Sequence, residues 1–484
     1  MKDDLRFSIF NFSELIFHFS IFNFMTEKIK HTLRESVAAR WAVLLLLAVT
    51  MFFIGVFADV LAPMAMHLEV AFGWSPATYG TVSGSMYILN VLGFVLLAGI
   101  ILDRIGARKS TLIASVLVIF GAGIKYYGMT DYFNNGGFGF AFFDSILTHI
   151  PASAKVAIVG FAIFGVGLEM AVISTMRAII RWFKGKELAL ALAMQVSVGR
   201  LGIMFTFFFA PRWAETSGIS SAVGISTLLL LVGLFTACMY FIMDLKLDKQ
   251  EGKEKETDED EFKFSDIKLI FSSRTFWIVA GLCVFYYISI WTFQRFAVGM
   301  LDSRLIDAPM LSSDIFALFP LGAAILTPLL GFFLDFRGRG ATMLIWGSLL
   351  MVVCHATFAI MPESAFTFPV AVGAIVLLGV SFSLVPAALW PAIPKIIEQR
   401  MLGTAYALIF WIQNVGLTFA PILIGSVLVA TNPYVDVEAG DVHSFKYPML
   451  IFASFGVVAL ILSFLLKRQD KIHGYGLELP NKQK

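Results

Sequence analysis

The sequence has few charged residues and few cysteines for its length. Only 14% of its 484 residues are charged, whereas 58% are hydrophobic and 49 are phenylalanine. A water-soluble domain could not bury so much apolar surface, because only lipid can cover it. Cys238, Cys283 and Cys354 lie in apolar segments without paired spacing, which excludes a disulfide framework or a cysteine metal site. The composition predicts a polytopic membrane protein.

Sequence motifs of enzymes are also missing. The chain has no His-Glu-x-x-His, no phosphate loop of the form Gly-x-x-x-x-Gly-Lys-Ser/Thr, no Gly-x-Ser-x-Gly and no dinucleotide fingerprint. The net charge of +2 comes from residues at the ends of apolar segments, which form no basic face for nucleic acid. We therefore expect no enzymatic activity, no cofactor, no metal and no nucleic-acid partner.

Apolar runs long enough to cross about 30 Å of hydrocarbon occur twelve times. They cover residues 41–66, 76–102, 110–128, 155–180, 188–212, 219–243, 275–300, 313–334, 341–361, 366–394, 401–430 and 447–466. Basic residues concentrate in the loops that follow the even-numbered spans, which places both termini in the cytoplasm by the positive-inside rule. The predicted fold is an all-α membrane protein with twelve transmembrane helices.

A charged segment at 244–273 divides the chain into two six-span bundles, at 41–243 and 274–466. Such a charge run is typical of a solvated linker. The flanking tails, 1–40 and 467–484, are predicted to be cytoplasmic. Residues 1–24 lack a compact apolar run and a cleavage site for a signal peptide. We expect them to be an over-extended start, because Met25 begins a more ordinary amino terminus.

A loop pattern repeats in the two halves. It follows the second and eighth spans and consists of Gly99, Asp103, Arg104, Gly106 and Arg108 in the first copy and of Asp335, Arg337 and Gly338, preceded by Gly331, in the second. The two aspartates are 335 − 103 = 232 residues apart, close to half the chain, as in parallel repeats. The pattern resembles the loop signature of the major facilitator superfamily. Its glycines would allow tight packing, and its aspartates would secure helix ends between the halves in one gate state.

Two opposite charges fall in consecutive spans at matching depth. Glu169 lies 15 residues before Lys184 and Arg200 lies 16 residues after it, so both are about 22–24 Å from this basic turn in an antiparallel hairpin. An ionisable side chain near the bilayer centre is costly and marks a solute or ion path. The alternative is an ion pair that only holds two helices together. A site with one carboxylate and one guanidinium suits a zwitterion, and the carboxyl could also carry a proton.

The segment from Arg181 to Ala189, continuing to Gly199 and Arg200, resembles the lysosomal dipeptide transporter subfamily and its bacterial relatives. The resemblance implies alternating access for a dipeptide or short peptide. It also implies that Glu169 contacts the α-ammonium and Arg200 the α-carboxylate.

Other residues at similar depth are candidates for the wall of the site. The polar ones are Asn90, Lys125, Gln413 and Asn414, and the aromatic ones are Tyr286, Tyr287, Trp291 and Trp390. Hydrogen bonds between helices explain the amides equally well, and aromatic residues often serve only for packing. Lys125 would bind a second carboxylate or pair with an acid.

Two other functions stay open on the sequence alone. One is an organic-anion or monocarboxylate transporter, which would normally have a cation in the cavity of the second half, whereas spans eight and eleven have none. The other is a receptor or chaperone without transport. Missing lysosomal and glycosylation signals favour a bacterial inner membrane over a lysosomal one. Partners are expected to be the solute, the bilayer and protons, with an accessory subunit undetermined.

Overall fold

The computed structural model describes residues 32–251, 264–305, 309–437 and 439–480. Within these ranges the chain is helical and contains no strand. The expected over-extended start, residues 1–24, lies outside the described residues. The principal helices are α1 (Val37–Ala58), α2 (Pro76–Val91), α3 (Phe94–Gly128), α4 (Ala152–Phe183), α5 (Leu188–Ser217), α6 (Ile219–Glu251), α7 (Arg274–Asp302), α8 (Pro309–Arg337), α9 (Gly340–Ile360), α10 (Phe368–Ile396), α11 (Leu402–Thr431) and α12 (Lys446–His473).

Eleven helical segments of the described chain are long and apolar enough to cross a membrane on their own. The remaining crossing consists of α2 and the first turns of α3, which are separated by Leu92 and by Gly93 with φ +101°. Helix α3 then turns back at Gly106, whose φ of +80° and ψ of +163° are not helical. The interruption at Gly106 therefore separates the second and third crossings, and the chain has the twelve crossings of the predicted fold.

The crossings form two halves, α1–α6 and α7–α12. Because each half has an even number of crossings, both ends of each half and the segment between α6 and α7 lie on one side of the bundle. We call this the linker side and the opposite one the far side. Helix α6 extends to Glu251, beyond the predicted end of the span at 243, because its last turns are polar and continue past the apolar run.

Glycines bring the two halves together on the far side. Helix α2 starts on this side and α11 ends there. An added Cβ at Gly80 would lie 2.2 Å from the Pro421 carbonyl oxygen, and one at Gly84 would lie 2.2 Å from that of Thr418. Only a residue without a side chain fits at this separation, so α2 and α11 pack backbone against backbone.

Candidate functional site

Arg200 reaches from α5 into the second half of the molecule. Its Nη1 donates a hydrogen bond to the carbonyl oxygen of Ala323 at 2.9 Å and another to the hydroxyl of Thr327, both on α8. The guanidinium also lies over the ring of Phe382 on α10, 4.4 Å from its centroid. Arg200 is only 7% exposed. It is thus held by neutral groups, and no carboxylate within the described ranges pairs with it.

Glu169 is half-buried on α4 and has no hydrogen bond or ion pair with any residue that the structure describes. Tyr87 on α2 lies within electrostatic reach of it. A carboxylate at this depth would normally be paired or would face a water-filled cavity. The alternative expectation, an ion pair between Glu169 and Arg200 that only holds two helices together, is absent from this state of the molecule.

The two charges nevertheless lie at the same depth. Gln195 on α5 donates a hydrogen bond of 2.6 Å to Thr175 on α4 and so fixes the register of these antiparallel helices. Glu169 is 175 − 169 = 6 residues from this contact and Arg200 is 200 − 195 = 5 residues from it, both toward the far side. At about 1.5 Å per residue the displacements are about 9 and 7.5 Å. The helical register thus keeps the two charges level.

Aromatic residues from α7 and α10 surround Arg200, as the sequence predicted for three of them. Trp291 meets Phe382 edge to face, with ring centroids 5.5 Å apart, and Phe382 in turn carries the guanidinium. Trp390 donates a hydrogen bond of 3.0 Å from Nε1 to the hydroxyl of Tyr287. Tyr287 lies within electrostatic reach of Arg200. These rings therefore line one side of the space around the guanidinium.

The other predicted residues have partners within the protein. The hydroxyl of Tyr286 donates to the Ser381 carbonyl at 2.7 Å, Gln413 accepts from the Cys283 thiol at 3.4 Å, and Asn414 donates to the Phe410 carbonyl of its own helix at 2.9 Å. Asn90 joins α2 to the Gly165 carbonyl of α4 at 3.3 Å. Both asparagines leave a buried Oδ1 without a partner among the described residues. Their main contacts are those of helix packing.

A buried charge cluster on the far side was not recognised from the sequence, which suggested only that Asp59 and Arg295 approach the outer interface. Asp59, at the end of α1, is 1% exposed, and Arg295 on α7 is 6% exposed. Their closest atoms, Oδ1 and Nη1, are 3.2 Å apart, and Gln294 donates to the other carboxylate oxygen at 2.8 Å. Lys125, less than a turn from the end of α3, lies within electrostatic reach of both charges. The Asp59–Arg295 pair joins the two halves.

The first copy of the loop signature makes its contacts within the first half. Asp103 pairs with Arg177 of α4 at 2.7 Å, and Arg108 pairs with Asp248 of α6 at 2.6 Å. Gly106 forms the turn described above, whereas a Cβ at Gly99 would meet nothing within 4 Å. Arg104 is exposed. In this state Asp103 therefore secures a helix end of its own half rather than one of the other half.

The second copy lies under the carboxy-terminal tail. Gly338 has φ +71°, and a Cβ there would lie 2.4 Å from the carbonyl oxygen of Glu478. That carbonyl accepts a hydrogen bond of 2.9 Å from the backbone of Arg339. Asp335 lies within electrostatic reach of Lys395, and Arg337 is exposed. The glycine thus permits both the turn and the close approach of the tail.

Two groups of functional interest were missed, and their sequence signals differ. Asp59 and Arg295 are opposite charges at equivalent ends of the first and seventh spans, a pattern that the repeat offset makes visible. Phe382 and Thr327, which hold Arg200, carry no such signal, because a phenylalanine or threonine inside an apolar helix is ordinary. Only the packing of α5 against α8 and α10 reveals them.

Comparison with known proteins agrees with this architecture. The family model of the Major Facilitator Superfamily matches residues 45–302 and 296–477. Lysosomal dipeptide transporter MFSD1 of Danio rerio is 28% identical over 400 residues, which cover 79% of this chain and 77% of that protein. The protein of the same name from Mus musculus is 29% identical over 343 residues, covering 69% of this chain and 68% of its own.

Solved structures with this fold include the xylose transporter XylE from E. coli in an inward open conformation, with a TM-score of 0.65 and 14% identity over 89% of this chain and 96% of that one. The nucleoside transporter NupG has a TM-score of 0.62 and 14% identity, covering 88% of this chain and 99% of its own. At such low identity these structures support the fold alone. The match of the family model over most of the chain shows that this multi-pass membrane protein, a transporter and not an enzyme, belongs to the Major Facilitator Superfamily.

Proposed function

We propose that the chain transports short zwitterionic peptides, with dipeptides as the leading class, and that Glu169 and Arg200 bind the two ends of the peptide. The observation that carries the proposal is a pair of opposite charges at one depth, neither neutralised by an opposite charge of the described protein. A zwitterion would neutralise both at once. The relatives named as dipeptide transporters support the same substrate class.

Arg200 has donors to spare for a carboxylate. A guanidinium has five N–H donors in a planar fork, and the hydrogen bonds to Ala323 and Thr327 both use Nη1. Nη2 and Nε remain for a carboxylate, which arginine can bind through two parallel hydrogen bonds. The Phe382 ring orients the planar group by stacking against it. Because these contacts come from the second half, a carboxylate on Arg200 would lie at the interface of the halves.

Glu169 would bind the ammonium group at the other end of the peptide. A half-buried carboxylate loses part of its hydration, and an ammonium with three donors restores the lost hydrogen bonds. The same carboxyl could carry a proton when no ammonium is bound. Transport is therefore proposed to be either uniport or proton-coupled, and a pH jump across vesicles that hold the purified protein distinguishes the two.

The orientation and the cellular membrane are proposals as well. Basic loops on the linker side favour cytoplasmic termini. Missing targeting signals favour a bacterial inner membrane, while the relatives carry the name lysosomal. A reporter fused after Lys484 tests the orientation. Activity of a form that works only outside the cytoplasm would reverse the assignment of the two sides.

The substrate proposal is tested by thermal unfolding of the purified protein with dipeptides, since a ligand that binds only the folded state raises its apparent stability. Free dipeptides should stabilise the wild type, whereas peptides amidated at the carboxyl end or acetylated at the amino end should not. Arg200→Ala should lose the effect, because truncating one partner of a buried charged hydrogen bond costs about 2–5 kcal/mol.

Arg212→Ala is the matched control, because Arg212 lies on the same helix but pairs with Asp314 at 2.9 Å near the far end. It should leave the stabilisation by dipeptides intact. Glu169→Gln should weaken binding of the free dipeptide while leaving any residual binding insensitive to acetylation. If both blocked peptides stabilise the wild type as well as the free one, the zwitterion site is wrong.

The organic-anion reading is the second candidate, and Arg200 itself favours it, since this cation would bind any carboxylate. Rejection of the amidated peptide alone, together with stabilisation by monocarboxylates, would support it. Glu169 argues against it, because a carboxylate without a partner repels an anion in the same cavity.

A further inference from the structure

Lys125 is a buried cation beside a pair that is already complete. Its side chain is 1% exposed, and its ammonium lies 3.7 Å from the ring centroid of Phe161 and 5.1 Å from that of Phe57. Among the residues that the structure describes, none accepts a hydrogen bond from it. A buried ammonium that contacts only aromatic rings is less well stabilised than one that is paired with a carboxylate. The cluster thus has two cations for the single carboxylate of Asp59.

The backbone position of Lys125 is fixed relative to α4. An added Cβ at Gly160 would lie 2.4 Å from the backbone nitrogen of Lys125, so α3 and α4 touch at this point. Phe161, the next residue of α4, also contacts the guanidinium of Arg295, which lies 5.6 Å from its centroid. One ring therefore faces both cations of the cluster.

The members of the cluster divide unequally between the halves. Lys125, Asp59, Phe57 and Phe161 all belong to the first half, whereas Arg295 and its neighbour Gln294 belong to the second. A transporter of this superfamily opens its sides alternately by moving one half against the other. When the far side opens, Asp59 loses Arg295 and Gln294 together. A carboxylate left alone in this position would be strongly destabilised.

We propose that Lys125 is a positioning residue for transport, which pairs with Asp59 when Arg295 withdraws and so stabilises the state that is open to the far side. In the closed state the Phe161 and Phe57 rings hold the ammonium while Arg295 occupies the carboxylate. The gate exchanges one cation for another and never leaves Asp59 unpaired. This inference depends on alternating access and not on the identity of the solute.

Distances between spin labels on the far side test the exchange. Ser217 of α5 and Ala430 of α11 are exposed at the far ends of different halves and can be labelled after the three native cysteines are replaced by alanine. Lys125→Met should reduce the population with the long distance by about tenfold, the effect of about 1.4 kcal/mol, and should slow transport. Lys125→Arg, which keeps the charge, should restore both. Lys125→Gln replaces Lys125→Met if the latter does not fold.

The same substitution in an Asp59→Asn background provides the decisive comparison. With no carboxylate to neutralise, Lys125→Met should change the population by less than about twofold, because the coupling between the two positions is gone. An equal shift in both backgrounds would mean that Lys125 only repels Arg295, and the proposal would be wrong. No shift in either background would also overturn it. Stabilisation by dipeptides should persist in Lys125→Met, so that its loss would point to the central site instead.

Discussion

The far side and the linker side use charged residues in different ways. On the far side, ion pairs cross between the halves: Asp59 meets Arg295, and Arg212 meets Asp314. On the linker side, the signature residue Asp103 pairs with Arg177 of its own half. The far-side pair of Asp59 is almost fully buried, whereas Asp103 and Arg177 are about one-third exposed, at 32% and 34%. The far side thus holds the halves together, and these linker-side charges hold helices within one half.

This contrast explains how the molecule can be closed on one side while its centre keeps two charges without opposite partners. The bonds of Arg200 across the interface go to a carbonyl and a hydroxyl, which a substrate carboxylate can replace more easily than it can replace an aspartate. Exchange at the far side requires a new cation instead, because a buried carboxylate cannot be abandoned. Three substitutions test the contrast, beginning with the largest expected effect.

Asp59→Ala should have the largest effect, because it leaves Arg295 and Lys125 buried without a carboxylate. Removing one partner of a buried pair costs about 3–5 kcal/mol, which should appear as a lower unfolding temperature of the purified protein. Asp314→Ala is the control, since its pair with Arg212 is about one-third exposed and such pairs contribute about 0–1 kcal/mol. Equal losses in the two variants would remove the distinction between buried and exposed pairs.

Gly84→Val should have an intermediate effect. A Cβ at Gly84 would lie 2.2 Å from the Thr418 carbonyl oxygen, so the substitution forces α2 away from α11. Overpacking of this kind costs about 1–3 kcal/mol and should favour the far-open state in measurements of label distances. The control is Gly99→Ala in the signature loop, where the added Cβ meets nothing within 4 Å. A loss of stability in Gly99→Ala that matches the loss in Gly84→Val would contradict the packing argument.

Asp103→Asn should have the smallest effect on stability. Its pair with Arg177 is partly hydrated, and such pairs are worth about 0.2–1 kcal/mol. Ligand-induced stabilisation should therefore persist, while the transport rate falls if Asp103 also takes a partner in the other half during the cycle. An unfolded protein, in contrast, would show that the loop signature has a structural role that the present contacts do not explain.

Much of the fold was predictable, because lipid imposes a simple requirement on the sequence. Every crossing needs a long apolar run, and such runs are visible without a structure. The turn at Gly106 and the repeat around Asp335 were also visible, since backbone conformation near a glycine depends on local sequence. The extension of α6 to Glu251 was not, because a polar helical extension resembles a charged linker.

The central site was predictable in part. Glu169 and Arg200 were found because charges are rare inside membrane spans, and Trp291, Tyr287 and Trp390 were plausible from their position in α7 and α10. Their arrangement was not predictable. Hydrophobicity and spacing do not indicate that Phe382 would carry the guanidinium, since this depends on how α5 packs against the second half.

The sequence by itself determined the number of crossings, their division into two halves and the depth of the two central charges, because these depend on chain length and helical rise. Only the tertiary structure decided which charges meet. Asp59 and Arg295 are more than 200 residues apart, and so are Lys125 and the gate pair's partner in α7 close only through packing. The physical reason is that a sequence records which side chains a helix carries, whereas the faces that two helices present to each other are set by the packing of the whole bundle.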